Sequence, residues 1–251
     1  MSITRKIRVG AVNYLNTRPL IFGFEQGMMK DDLDLTFDYP SRIAAMLIND
    51  EIDLGLVPVV VIPKLEEHHI ITDYCIGADG PVASVCLFSE VTLDKVEKLL
   101  LDYQSRTSVV LTRLLCKEYW KVNPKIVEAG KDFRDHIGST TAGLVIGDRA
   151  LEQRKISSYV YDLGEAWKNQ TGLPFVFAAW ISNKTLPEDF IRNFNLANGF
   201  GVHRLQQVLK NIDYPFFDLY EYYTTYISYT LDTAKRKGMQ LFLQKMADLE
   251  G

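Results

Sequence analysis

Two short stretches of this chain concentrate side chains suited to holding an anion. The first reads Asn13-Tyr14-Leu15-Asn16-Thr17, followed by Arg18 and Pro19; the second reads Gln104-Ser105-Arg106-Thr107-Ser108. Each follows an apolar run of strand length and precedes a stretch of helical character. A helix start exposes unpaired N–H groups and a partial positive charge, so it favours anions. Asn16 and Thr17 add neutral donors to one turn, and Ser105, Thr107 and Ser108 to the other. Arg18 and Arg106 either make charge-assisted bonds to carboxylates or are solvated arginines at helix starts. Ordinary N-capping uses the same residue types. The pairing favours a ligand: two such turns at strand ends, one in each half of the chain, suit a molecule with two anionic groups.

Two further residues lie at comparable places. Ser84 follows the turn Asp79-Gly80-Pro81, where the chain first passes from one half to the other. It is either a ligand-facing hydroxyl or an unremarkable strand serine. Asp148 follows a buried strand in Gly147-Asp148-Arg149 and is either a cleft residue or a helix cap. The sequence holds no glycine-rich phosphate loop, no nucleophile elbow and no metal-ligand spacing, so neither a cofactor nor a metal is expected. The aromatic stretch 220–229 (YEYYTTYISY) reads as packing for a C-terminal helix.

The elements that must position these turns follow from periodicity. Residues 6–12, 33–39 and 52–57 read as strands, with helices after each, giving β-α-β-α-β-α. Residues 70–77 and 82–89 read as two more strands. From about residue 92 the pattern restarts: a strand over 97–103, a helix over 109–120, short elements near 126–128 and 133–137, a strand over 142–147 and the start of a helix over 148–153. A strong strand follows over 175–182, and 187–211 and 220–249 read as helical. The fold class is therefore α/β, a two-lobed clamshell of mainly parallel sheets with two hinge strands near 82–89 and 175–182. Residues 1–82 plus 179–251 form one lobe and 83–178 the other. Such a hinge permits closure around a ligand.

Composition narrows the class. The net charge of −4 argues against nucleic acid as a partner. No apolar run of about 18 residues suggests a membrane span. Three widely spaced cysteines, Cys75, Cys86 and Cys116, form no metal-type pair and read as buried thiols. With no apolar leader after the first basic residues, the expected location is cytoplasmic.

Val9-Gly10-Ala11-Val12-Asn13-Tyr14-Leu15-Asn16-Thr17-Arg18-Pro19-Leu20 resembles the N-terminal signature of the chorismate dehydratase family of the futalosine pathway to menaquinone. So, in order along the chain, do Asp79-Gly80-Pro81-Val82-Ala83-Ser84-Val85, Ser105-Arg106-Thr107-Ser108, Val145-Ile146-Gly147-Asp148 and Thr171-Gly172-Leu173-Pro174-Phe175-Val176-Phe177. The resemblance implies a type II periplasmic-binding-protein-like fold and a cytosolic enzyme without cofactor. It implies conversion of chorismate, a small dicarboxylate, to 3-[(1-carboxyvinyl)oxy]benzoate and water. It places the active-site asparagine on Asn16 and the active-site serine on Ser84. Thr17, Ser105, Arg106, Thr107 and Asp148 are then the expected substrate-binding residues. A non-catalytic binding or sensory module for a small carboxylate is the competing expectation. The pathway's other enzyme of similar fold is disfavoured by the Asn-Tyr-Leu-Asn signature.

Overall fold

The computed structural model describes residues 5–210 and 212–250. The leader reading on Met1–Thr4 and the expected helix end at Asn211 lie outside them. In chain order the elements are β1 (Ile7–Val12), α1 (Arg18–Glu25), β2 (Leu33–Asp38), α2 (Pro40–Ile48), β3 (Leu54–Pro58), β4 (His69–Ala78), β5 (Val85–Ser89), β6 (Lys98–Leu101), α3 (Thr107–Leu115), β7 (Lys125–Glu128), β8 (Thr141–Ile146), α4 (Asp148–Gln153), β9 (Tyr159–Asp162), α5 (Leu163–Thr171), β10 (Phe175–Ser182), α6 (Glu188–Val202), α7 (Leu205–Leu209), α8 (Leu219–Glu221), β11 (Ser228–Thr230) and α9 (Thr233–Glu250).

The strands form two sheets, one ordered β11-β4-β10-β3-β1-β2 and the other β7-β6-β8-β5-β9. This is the expected α/β architecture of two sheets with helices packed on them. The expectation of mainly parallel sheets is corrected, because both sheets are mixed. β1 runs parallel to β2 and β3, and β6 parallel to β7 and β8. β10 runs antiparallel to β3 and β4, and β5 antiparallel to β8 and β9. The cause is how the chain changes sheets. It leaves the first sheet at the end of β4 and re-enters beside it, with Phe175 paired to Ala78, so β10 must run the other way. β5 likewise enters the second sheet beside the end of β8, with Val85 paired to Ile146.

The hinge strands are corrected too. β5 pairs only within the second sheet and β10 only within the first. The crossings are the loops 79–84 and 172–174. Ala83, at φ 63°, breaks the extended run expected from Val82 onward. The tail is also not wholly helical. It contains β11, which covers the outer edge of β4, and a π-turn over Tyr222–Tyr226.

Packing explains the rest of the frame. β3 and β10 are buried along their whole length. Trp167, Phe175 and Phe242 meet edge to face, at 5.2 Å between the first pair and 4.9 Å between the second, tying α5 and α9 to β10. At the end of the first sheet away from the crossings, the buried Asp53 carboxylate is gripped by Arg5, Arg8 and Lys184 at 2.8–2.9 Å. These cations hold its pKa well below the usual carboxylate range, even against burial. No described helix is long and apolar enough to cross a membrane.

Candidate active site

β1 ends at Val12, and the chain enters a 3-10 turn over Leu15–Thr17 before α1 begins with Pro19 in its first turn. In the second sheet, β6 ends at Leu101 and the buried Asp102 shapes the loop that follows. Its carboxylate accepts from the backbone N–H of Gln104 at 3.0 Å and of Ile146 at 3.2 Å, and from Arg149 at 2.7 Å. Ser105 Oγ then accepts from the N–H of Ser108 at 3.2 Å, capping the start of α3.

These two helix starts face each other across one cleft. Tyr14 and Asn16 line it from the first sheet, and Ser105, Thr107 and Ser108 from the second. Pro40, Pro58, Ile76 and Phe177 form apolar wall on one side, Val85 and Ile146 on the other. The free room is about 60 Å³, far below the roughly 300 Å³ or more usual for a small-molecule pocket. The lobes are therefore drawn together. Hydrogen bonds join their rims around the two turns, and the tail adds others: Tyr214 Oη donates to the Asp148 carbonyl at 2.8 Å and Lys155 Nζ to the Pro215 carbonyl at 3.0 Å. Tyr14 Oη donates to Gln104 Oε1, and Leu15 N–H donates to Asp148 Oδ1 at 3.0 Å. Ser41 N–H donates to the Gln104 carbonyl at 3.1 Å, and Ser41 Oγ to the Tyr103 carbonyl at 3.2 Å. Gly147 admits this closeness: a Cβ there would lie 3.0 Å from the Tyr14 ring, and its φ of 68° with ψ of −151° is a conformation reserved for glycine.

Of the expected site residues, Asn16, Ser105 and Thr107 line the cleft together. Thr107 Oγ1 is buried with no hydrogen-bond partner among the described residues. Thr17 is wholly buried, its hydroxyl turned onto Asn16 Oδ1 at 3.4 Å rather than toward the cleft. Arg106 precedes α3 and is not among the lining residues. Arg18 turns to Glu25 at 3.0 Å. Asp148 spans the two lobes through Leu15.

Ser84 sits at the crossing next to the lining residue Val85, wholly buried and not itself among the lining residues. Its carbonyl accepts from Gly147 N–H at 2.8 Å, and its Oγ accepts from Tyr222 Oη at 2.7 Å. Asp162 secures the crossing: its carboxylate accepts from Val82 N–H at 3.0 Å and Ala83 N–H at 2.8 Å while capping α5 through Gly164 and Glu165.

Sequence reasoning missed the tyrosines of 220–229. Tyr222 reaches Ser84, Tyr223 Oη donates to the Leu15 carbonyl at 2.9 Å, and Tyr229 Oη to the Asn16 carbonyl at 2.9 Å. The available signal was the residue type: buried tyrosines need partners for their hydroxyls, whereas phenylalanines do not. Asp162 was legible as well, since Asp162-Leu163-Gly164-Glu165 has the spacing of a capping box.

Burial pushes the Asp148 carboxyl up to about 6, with Leu15 N–H, Arg18 and Arg149 pulling against it. A carboxyl raised on folding holds its proton more tightly in the folded chain. This group therefore costs stability as pH rises from about 4, its unfolded value, through about 6. Asp148→Asn keeps an oxygen for Leu15 N–H. It is expected to be more stable than the parent by roughly 3 kcal/mol near pH 8 and close to it near pH 4. Thermal melts across that range check this; an equal offset at both ends would remove ionisation as the cause.

Residues 7–248 match the family described as menaquinone biosynthesis. The chain is similar to the chorismate dehydratase of Thermus thermophilus, 25% identical over 95% of this chain and 94% of that one. It is also similar to the chorismate dehydratase of Campylobacter jejuni, 23% identical over 94% and 95%. Among solved structures it resembles a Candida albicans protein described as having the generic periplasmic binding protein fold. The TM-score is 0.64 with 16% identity, covering 98% of this chain and 91% of that one. That likeness speaks to the fold alone, and it agrees with the clamshell.

Proposed function

The chain belongs to the menaquinone-biosynthesis family, and on that premise we propose that it dehydrates chorismate to 3-[(1-carboxyvinyl)oxy]benzoate and water. The observation that carries this reading is the facing pair of helix starts with the buried, partnerless hydroxyl of Thr107 between them. Chorismate has two carboxylates, and two N–H- and hydroxyl-rich turns on opposite walls offer one grip for each. A buried polar atom without a partner costs stability, and a carboxylate oxygen would satisfy it. The apolar walls suit the carbon ring. With about 60 Å³ of room, the lobes must part to admit the substrate, breaking the hydrogen bonds that join their rims.

The reaction breaks a ring C–H bond and the neighbouring C–O bond. The C–H electron pair becomes the last ring double bond, and aromatisation supplies the driving force. In our reading the substrate's own enolpyruvyl carboxylate takes the proton and passes it to the departing hydroxyl, so that one water leaves. Asn16 and Ser84 orient the substrate by hydrogen bonds, and the closed cleft excludes bulk water. Three buried, unpaired cysteines suit a reducing, cytoplasmic setting.

Incubating the protein with chorismate and following aromatic absorbance and product mass tests the reading. Aromatic product less one water is the expected result. Binding without turnover would overturn it in favour of a binding module. Thr107→Val removes a hydroxyl that has no partner among the described residues. It should leave the melting temperature unchanged and raise KM about tenfold, since a hydrogen bond to a charged group contributes about 1.5–3 kcal/mol. An unchanged KM would remove Thr107 from the carboxylate grip.

A further inference from the structure

We propose that Tyr222 is a positioning residue for this reaction, donating its phenol proton to Ser84 Oγ so that the serine hydroxyl turns its own proton toward the substrate; this rests on the dehydratase reading. The two oxygens lie 2.7 Å apart, and both residues are wholly buried. A hydroxyl has one proton to give and two lone pairs to accept with. Once Ser84 Oγ accepts from Tyr222, its own proton is free, and Ser84 Oγ makes no second side-chain hydrogen bond among the described residues.

The direction of the bond follows from acidity and surroundings. The phenol is the stronger acid of the two. Burial raises its pKa well above the ordinary value, so it remains a donor throughout the working range. The Tyr222 backbone lies at the start of the π-turn, where Ile227 N–H donates to its carbonyl at 3.0 Å. That widened turn lets consecutive residues face inward, Tyr222 onto Ser84 and Tyr223 onto the Leu15 carbonyl.

A packing role alone would be served by phenylalanine, because the ring also sits edge-on to Phe217 at 6.1 Å and beside Tyr223 at 5.6 Å. Tyr222→Phe keeps those contacts and removes only the donor. The expected result is a melting temperature lower by a few degrees, as for loss of the same bond from the serine side, with KM within about twofold and kcat lowered about tenfold. In a double-mutant cycle, Tyr222→Phe should add no further loss to Ser84→Ala, because its effect passes through the serine. If the parent turns over chorismate and Tyr222→Phe keeps its kcat within about twofold, the inference is overturned and the dehydratase reading stands. Losses that multiply in the double variant would also overturn it. A parent that leaves chorismate unchanged overturns the dehydratase reading and this inference with it.

Discussion

Asn16→Ala and Ser84→Ala are each expected to lower kcat by about a hundredfold or more while the protein stays folded. The asparagine side chain meets the cleft, but its backbone is fixed independently, by Tyr229 Oη on its carbonyl. Removing the amide therefore takes away an orienting group without releasing the turn. Ser84 is held the same way, through its carbonyl on Gly147 N–H and through the crossing loop. Truncating its hydroxyl leaves Tyr222 Oη without its acceptor, a cost of about 1–3 kcal/mol in stability. For Ser84→Ala the melting temperature should thus fall by a few degrees, and for Asn16→Ala by less. Single-turnover rates and thermal melts separate the two effects. Near-normal turnover in both variants would sink their assignment.

The second large effect is expected at Asp162, which is not among the residues lining the cleft. Its carboxylate serves four backbone N–H groups, two in the crossing loop and two at the start of α5, and Cys86 Sγ approaches it at 3.6 Å. It also stabilises Ala83 at φ 63°, a conformation that costs a non-glycine residue about 1 kcal/mol or more. Asp162→Ala leaves these amides without their acceptor, and a loss of about 3–5 kcal/mol follows. For a chain of this length that corresponds to a fall of roughly 6–20 °C in melting temperature. Turnover should fall as well, because Ser84 follows directly on the released loop. Asp162→Asn, with one accepting oxygen, should lie between. Denaturant unfolding of both variants checks the order, and an Asp162→Ala protein as stable as the parent would show that the crossing is secured elsewhere.

Local pattern made much of this molecule legible. A helix starting over Asp148–Gln153 was expected and is α4, and the strand expected over 142–147 is β8, Thr141–Ile146. The two polar turns were found because hydroxyl and amide residues between a strand and a helix leave a compositional mark. Strand direction leaves none, so the antiparallel placement of β5 and β10 could not be read from their residues. The crossing loop was mistaken for strand because Val82 and Ala83 are apolar; only the fold reveals that Ala83 turns left-handed. The tyrosine segment misled for a related reason. Hydrophobic counting scores Tyr222, Tyr223 and Tyr229 as packing, while each also spends its hydroxyl on a residue more than a hundred positions earlier.

That last separation bears on the order in which the protein becomes competent. Tyr223 reaches back 208 residues to Leu15, and Tyr229 reaches back 213 to Asn16. On the ribosome, both sheets can be built up to β10 while Ser84 and the Asn16 turn still lack the hydroxyls that fix them. At about 5–20 residues per second, the roughly forty residues between β10 and the tyrosines separate a shaped cleft from a working one by seconds. On the proposed dehydratase reading, catalytic competence is thus a late event in the birth of the chain, and turnover would report that its distal segment has docked.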